Sequence, residues 1–288
     1  MKLWRLTALR LRLVARNRAA LFFTFIFPLV FLLVYGGLLA GSDPQATSYL
    51  MGPVVTLTVM GSGFWGLGIQ LVMSRERGIL RRFRLAPIGA GHMLGSSILA
   101  NYLFQIPVIL IEFAGAHWLF KMPWPANPLA IAFWSTLGLI AFSALGLIIA
   151  SVANTMQETQ VINNLFWFAL LFLSGATIPL PMLPPWVQRF ALFLPATYLV
   201  TALQGVMLRG VSTRHLLPEV AALLVAFAVG FGISWRLFRW EPEEKVSGGA
   251  KLWALACVLP FLLLGVWQNF FGTRLVEAQS FFQLLRPR

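Results

Sequence analysis

The chain has 288 residues, of which 59% are hydrophobic and only 11% charged, against about a quarter charged in a soluble domain; a water-soluble globule is excluded. Its formal charge of +13 comes from 22 Lys and Arg against 9 Asp and Glu. These cations sit between long apolar runs, which argues against a nucleic-acid partner and for residues that fix orientation in a membrane.

Residues 2–18 carry basic side chains and no acid. On a helical projection Lys2, Arg5, Arg12 and Arg16 share one stripe, with Leu3, Trp4, Leu11 and Val14 roughly opposite and Arg10 and Arg18 outside it. This pattern predicts an interfacial helix over residues 1–18, lying along the cytoplasmic membrane surface and in contact with its lipids. The apolar run that follows, 19–40, exceeds the roughly 7–15 residues of a signal-peptide core and predicts a retained first span. Further runs at 49–73, 92–116, 128–153, 161–180, 216–235 and 252–270 are each close to the roughly 20 residues that cross a bilayer. They predict an all-α integral membrane bundle. Pro28, Pro107 and Pro260 lie inside runs, where neighbouring helices can satisfy the freed carbonyls.

With the N-terminus placed in the cytoplasm, the N-terminal segment, the loop 74–91 and the linker 236–251 together hold 15 of the 22 cations. The remaining seven, Lys121, Arg189, Arg209, Arg214, Arg274, Arg286 and Arg288, fall outside. That asymmetry predicts a cytoplasmic N-terminus in a multi-pass protein of the cell inner (plasma) membrane. Between the fifth and sixth runs, residues 179–215 hold Pro179, Pro181, Pro184, Pro185 and Pro195 amid apolar side chains. Proline breaks helices, and irregular backbone at membrane depth survives only when buried in protein or lining a cavity. Two short re-entrant helices are therefore expected, 185–194 and 198–208, capping the outer end.

Signs of chemistry are sparse. No G-x-x-x-x-G-K-[ST] phosphate loop, H-E-x-x-H helix or G-x-S-x-G elbow occurs. The lone Cys257 gives no disulfide or thiolate cluster, and His92, His117 and His215 lie far apart, so neither a metal site nor a catalytic set is expected. Glu112 and Glu219 fall at the outer ends of the third and sixth runs, where each can reach water, Lys121 or a nearby arginine. Gln70, Asn101, Gln105, Asn163 and Asn164 suit hydrogen bonds between helices, and the glycine-dense stretch 61–68 suits close helix approach. Phe64, Trp65 and Phe168, with Asn101, Asn163 and Asn164, could line a path for an apolar substrate. A rival reading, a membrane-embedded lipid-modifying enzyme, would need Glu112, His117 or His215 near the outer surface. A proton-coupled carrier is disfavoured because no charge sits at mid-membrane.

The loop 74–87, S-R-E-R-G-I-L-R-R-F-R-L-A-P, sets Leu80 and Phe83 on one helical face among basic residues. It resembles the cytoplasmic loop of type 2 ATP-binding-cassette (ABC) export permeases, which typically reads E-x-G-T-L-E-x-L followed by proline. Glu76, Gly78, Leu80 and Pro87 match, Phe83 takes the last apolar position, and Ile79 and Arg81 replace the family's threonine and second glutamate. The stretch 172–200 is similar to the family's fifth span and outer re-entrant helices, with Phe172, Ser174, Gly175, Pro179, Leu183, Pro184, Trp186 and Pro195 at the expected spacing. The basic helix leading into F-x-F-P-L, Phe25 to Leu29, also fits. The resemblance covers roughly residues 1–240; the linker, seventh run and tail, 241–288, lie outside the usual six-span pattern.

What the resemblance implies is a six-span ABC permease domain of the drug-and-lipid exporter branch, pairing with a second copy of itself and two copies of a separate ATPase subunit. ATP and Mg would be bound by that subunit, and no cofactor by this chain. Arg75, Glu76, Arg77, Gly78, Leu80, Arg82, Phe83 and Pro87 would contact the ATPase, and Pro179, Pro184, Trp186 and Pro195 would shape the outer cap. An amphipathic or hydrophobic compound would pass between the copies, past spans two and five.

Overall fold

The computed structural model describes residues 2–41, 43–84, 88–209, 216–244, 246, 249 and 258–283, and among them every regular element is helical. Helix α1 is Lys2–Ala15, and α2 is Arg18–Leu33, running into a π-helical segment Val34–Leu39. Asp43 then caps α3 (Pro44–Gly61) by accepting from the Gln45 and Ala46 N–H groups at 3.1 and 3.4 Å, with Pro44 at the start. A second π-helical segment, Ser62–Gly68, joins α3 to α4 (Ile69–Glu76), so that Pro44–Glu76 is one rod of 33 residues. Next come α5 (Ile79–Arg84), α6 (Ala90–Phe120), α7 (Pro128–Val152) and α8 (Met156–Leu173). A 3-10 turn (Leu180–Met182), α9 (Pro185–Ala191), α10 (Pro195–Arg209), α11 (Leu217–Arg236), α12 (Leu259–Phe271) and α13 (Arg274–Gln283) complete the order.

Four helical stretches are by themselves long and apolar enough to cross a membrane: Pro44–Glu76, α6, α7 and Glu219–Arg236. A fifth follows if α9 and α10, bent by 94°, are one broken span. Several boundaries differ from the sequence reading. The fifth run starts at Met156, because Thr155 and Glu158 cap it there, and stops at Leu173, because Gly175 turns the chain with φ 87°; its first turns carry Gln157, Glu158 and Gln160, which shorten its apolar length. The first run yields a shorter apolar helix, Thr24–Leu39. Of the seventh run only Leu259–Phe271 is helical among the described residues, and its earlier part lies outside them, as do Pro87 and His215.

Helix α7 is the hub: 83% of its most apolar window is buried, against 33% for α11. Its central contact is backbone against backbone. A Cβ on Gly63 would lie 2.4 Å from the Phe142 carbonyl oxygen, and one on Gly146 would lie 2.1 Å from that of Gly63. Small residues permit this approach, which replaces hydrophobic driving force with dispersion contact inside lipid. The apolar core along the bundle includes fully buried Tyr49, Met51, Met60, Phe64, Trp134, Phe142 and Tyr198.

One end of the bundle gathers α1, α5 and residues 236–244, and is called the basic end below; the opposite end carries α9, α10 and α13 and is called the cap end. At the basic end α1 lies along α6, with buried Leu6 and Thr7 inward and Trp4 outward. Arg10, outside the basic stripe, points its Nη2 at Met93 Sδ at 3.3 Å.

Candidate functional site

The loop after the second span is locked to the rest of the basic end. Arg77 closes α4, Gly78 takes φ 66°, a backbone region that suits glycine, and α5 follows at once. Arg75 is buried, and its Nη1 and Nη2 donate to the carbonyls of Ala150 (2.9 Å) and Ala153 (2.8 Å). A helix leaves its last carbonyls unpaired, and here a guanidinium satisfies two at the C-terminus of α7. Glu76 Oε1 accepts from the Met156 N–H at 2.6 Å, at the start of α8. There Thr155 Oγ1 accepts from the Glu158 N–H (3.1 Å) and Glu158 Oε2 from the Asn154 N–H (2.8 Å), a variant of the capping box.

A second arginine converges on the same turn. Arg239 Nη2 donates to Ser151 O (3.0 Å) and Ala153 O (2.7 Å), and its Nη1 to Asn154 Oδ1 (2.7 Å). Burial lowers its pKa, with Glu244 and Glu158 acting in the opposite sense. The α7–α8 turn is thus gripped by the end of the second span and by the segment after α11. Leu80 of α5 is buried with Leu71, Val72, Met93 and Leu147, and Phe83, Phe238 and Trp240 pack against that cluster. Arg84 pairs with Glu241 at 2.8 Å across an exposed surface. Of the residues that the resemblance assigns to an ATPase contact, Arg75 and Leu80 face inward and Phe83 is half-buried, while Glu76, Arg77 and Arg82 face out with Ile79 and Arg81.

Mid-bundle, the polar residues divide into glue and exposed face. Asn101 Nδ2 donates to Ser62 Oγ (3.3 Å) and Ser143 Oγ (3.1 Å), joining three helices. Asn163 Nδ2 donates to the Phe64 carbonyl at 2.9 Å, a backbone group of the π-helical segment. Buried Phe64 and Asn163 and half-buried Asn101 therefore hold the bundle together. Asn164, Phe168, Leu165 and Phe172 stand on the opposite, exposed face of α8, with Phe168 and Phe172 stacked at 6.2 Å. Trp65, 38% exposed, meets the buried Trp167 edge-on at 6.4 Å.

Prolines shape the cap end. Pro179 and Pro184 precede the 3-10 turn and α9, and Pro195 opens α10. Side chains then bond the backbone across the bends: Gln188 Nε2 to Leu183 O at 2.8 Å, Thr197 Oγ1 to Ala191 O at 2.7 Å, and Tyr198 OH to Leu192 O. Tyr35 OH donates to Ala176 O at 2.9 Å, tying the first span to the descent after α8. Trp186 projects outward, 71% exposed. Over this cap lies α13, whose Ala278 is buried among Leu180, Leu183, Val187 and Ala191.

The two acidic residues differ from each other. Glu219 meets an arginine as expected, but one from the C-terminal extension: the Arg274 Nε–H donates to its Oε1, which Gln268 Nε2 also approaches at 3.3 Å. Glu112 departs from the expectation of water or Lys121. It is fully buried and accepts from the Thr58 hydroxyl, and among the described residues its Oε2 has no hydrogen-bond partner. The reason is helix length: α6 continues to Phe120, leaving Glu112 two turns inside its end, opposite α3. His117 Nδ1 instead lies 2.7 Å from Met122 O, with its ring against Trp124 at 4.6 Å.

The bundle thus combines a rod of two helices followed by a short basic helix, a hub helix and a proline-built helix pair bent by 94°. Over residues 1–208 the sequence matches the family described as ABC-2 type transporter. The chain belongs to that family. It is similar to the linearmycin resistance permease protein LnrN of Bacillus subtilis (strain 168), 27% identical over 64% of this chain and 46% of LnrN. It is also similar to the ABC transporter G family member 20 of Dictyostelium discoideum, 33% identical over 54% of this chain and 20% of that protein. A third relative, named Probable doxorubicin resistance ABC transporter permease protein DrrC, from Mycobacterium tuberculosis, is 23% identical over 77% of this chain and 83% of its own length. The chain thus spans half or less of the first two relatives. As an ABC-2 type permease it is a multi-pass membrane protein and not an enzyme, which removes the lipid-modifying alternative.

Sequence reading missed Arg239, Thr58, Gly146 and Arg274. Arg239 and Arg274 read as topology-setting charges, Thr58 is one of several hydroxyls in its run, and Gly146 shares its run with Gly138. None carries a local signal, because each acts through a partner remote in sequence.

Proposed function

We propose that this chain is the membrane-spanning permease of an ATP-driven exporter that moves an amphipathic or hydrophobic compound (a drug, a lipid or a lipid-linked molecule) out of the cell. ATP and Mg are bound and turned over on a separate ATPase subunit, present in two copies beneath two copies of the permease. The basic end faces the cytoplasm of a plasma or inner membrane and the cap end faces outward.

The observation that carries this reading is the clamp at the basic end. Arg75 and Glu76 fix the loop to the α7–α8 turn while Arg77, Ile79, Arg81 and Arg82 remain outward. A push on α5 is therefore delivered to the hub helix α7, and the Gly63–Gly146 seam carries it back to the second span. The names of LnrN and DrrC, resistance permeases, support a drug-like cargo. Exposed Trp65, Asn164, Phe168 and Phe172 give the face along which that cargo moves between copies. The test is copurification with an ABC ATPase subunit, followed by ATP turnover across a panel of lipids and drugs. Turnover by the complex, raised by at least one amphiphile, is expected; transport by the permease alone in liposomes without any ATPase would overturn the proposal.

A further inference from the structure

The C-terminal extension creates a groove that the six-span pattern lacks. Arg189 and Phe190 of α9, Phe193 at the bend, and Val266, Asn269 and Phe270 of α12 line an open cavity of about 580 Å³ at the cap end. Its seam is well built. Asn269 Nδ2 donates to the carbonyls of Arg189 (3.3 Å) and Gly265 (2.8 Å). Gly265 lets the Phe193 ring sit against α12, where a Cβ would lie 2.4 Å from that ring.

Two features define the occupant. Among the described residues no carboxylate pairs with the exposed guanidinium of Arg189, so the mouth of the groove carries one uncompensated positive charge. The floor is apolar and uncovered, with Phe270 77%, Val266 49% and Phe190 46% exposed. From the groove an exposed apolar stripe runs back along α12 through Leu263 to Leu259. Eleven helical steps from Phe270 to Leu259 cover roughly 16 Å at 1.5 Å per residue, close to half of a hydrocarbon core about 30 Å thick. A cation at the end of a one-leaflet apolar track matches an amphiphile with an anionic head and a single-leaflet tail.

We propose that this groove is a binding site for a bilayer phospholipid with an anionic headgroup, its phosphate against Arg189 and an acyl chain along α12. The lipid wedges α12 against the re-entrant cap, and it is a resident of the site rather than the exported cargo. A surface Arg is worth about 1 kcal/mol toward an anionic headgroup, or about fivefold in affinity.

The experiment uses the full chain in neutral detergent, titrated with phosphatidylglycerol or phosphatidylcholine of the same acyl chains and read by native mass spectrometry. The wild type is expected to hold phosphatidylglycerol about fivefold more tightly. Arg189→Gln, a surface change, should abolish that preference without altering thermal unfolding, and Val266→Trp, which fills the groove, should lower retention of both lipids. Equal binding of the two lipids by the wild type, a preference that survives Arg189→Gln, or retention unchanged by Val266→Trp overturns the assignment.

Discussion

At the basic end, Arg75 and Arg239 bond the carbonyls that α7 leaves open, whereas at the cap end hydroxyl-to-carbonyl bonds and one buried ion pair, Arg274 with Glu219, hold the chain. The first arrangement joins three segments through Ala153 O, which accepts from both arginines. The second joins the C-terminal extension to α11 through Glu219, which accepts from both Arg274, 55 residues away, and Gln268, with Asn269 bonding the Arg189 carbonyl of α9 and α13 packing on the cap. The basic end is redundant at Ala153 O, which two guanidiniums share, whereas at the cap end a buried charge pair of Arg274 with Glu219 anchors the extension.

The sharpest way to break the contrast is at that pair. Arg274→Met leaves the Glu219 carboxylate buried without its cation, and removing one partner of a buried pair costs about 3–5 kcal/mol. A large drop in the thermal unfolding temperature in detergent is expected, and Glu219→Leu combined with Arg274→Met should recover most of it. Arg75→Ala comes next. It removes two charge-assisted bonds, each worth about 1.5 kcal/mol at the low end, while Arg239 still holds Ala153 O. Unfolding should shift by less than for Arg274→Met, and substrate-stimulated ATP turnover by the complex should fall. The smallest effect belongs to Glu241→Gln: its pair with Arg84 is exposed, and such pairs contribute at most about 1 kcal/mol. Its unfolding temperature should match the wild type within error.

Local chemistry was legible and remote chemistry was not. Pro179, Pro184, Pro185 and Pro195 announce the cap because proline constrains the backbone wherever it stands, and the structure bends there as expected, at Pro185–Ala191 and Pro195–Arg209. The glycine stretch 61–68 likewise announces a close approach, although not that Gly146 receives it. Arg75 was misleading, since a charged residue at a span end reads as surface, and its burial depends on carbonyls 75 and 78 residues away. Glu112 was misplaced because its depth depends on where α6 ends and on Thr58 opposite. Residues 241–288 had no pattern to match, and the role of their helices emerges only where α12 and α13 meet the cap.

The central claim is that α5 meets an ATPase through its outward residues while Leu80 packs inward and Arg75 and Glu76 just before it form the clamp. The most direct measurement is site-specific photo-crosslinking in the assembled complex, with the probe at Ile79, at Arg82 or, on the cap, at Trp186. Adducts with the ATPase are expected at positions 79 and 82 and none at 186. Adducts at 186, or their absence at both 79 and 82, would contradict the account.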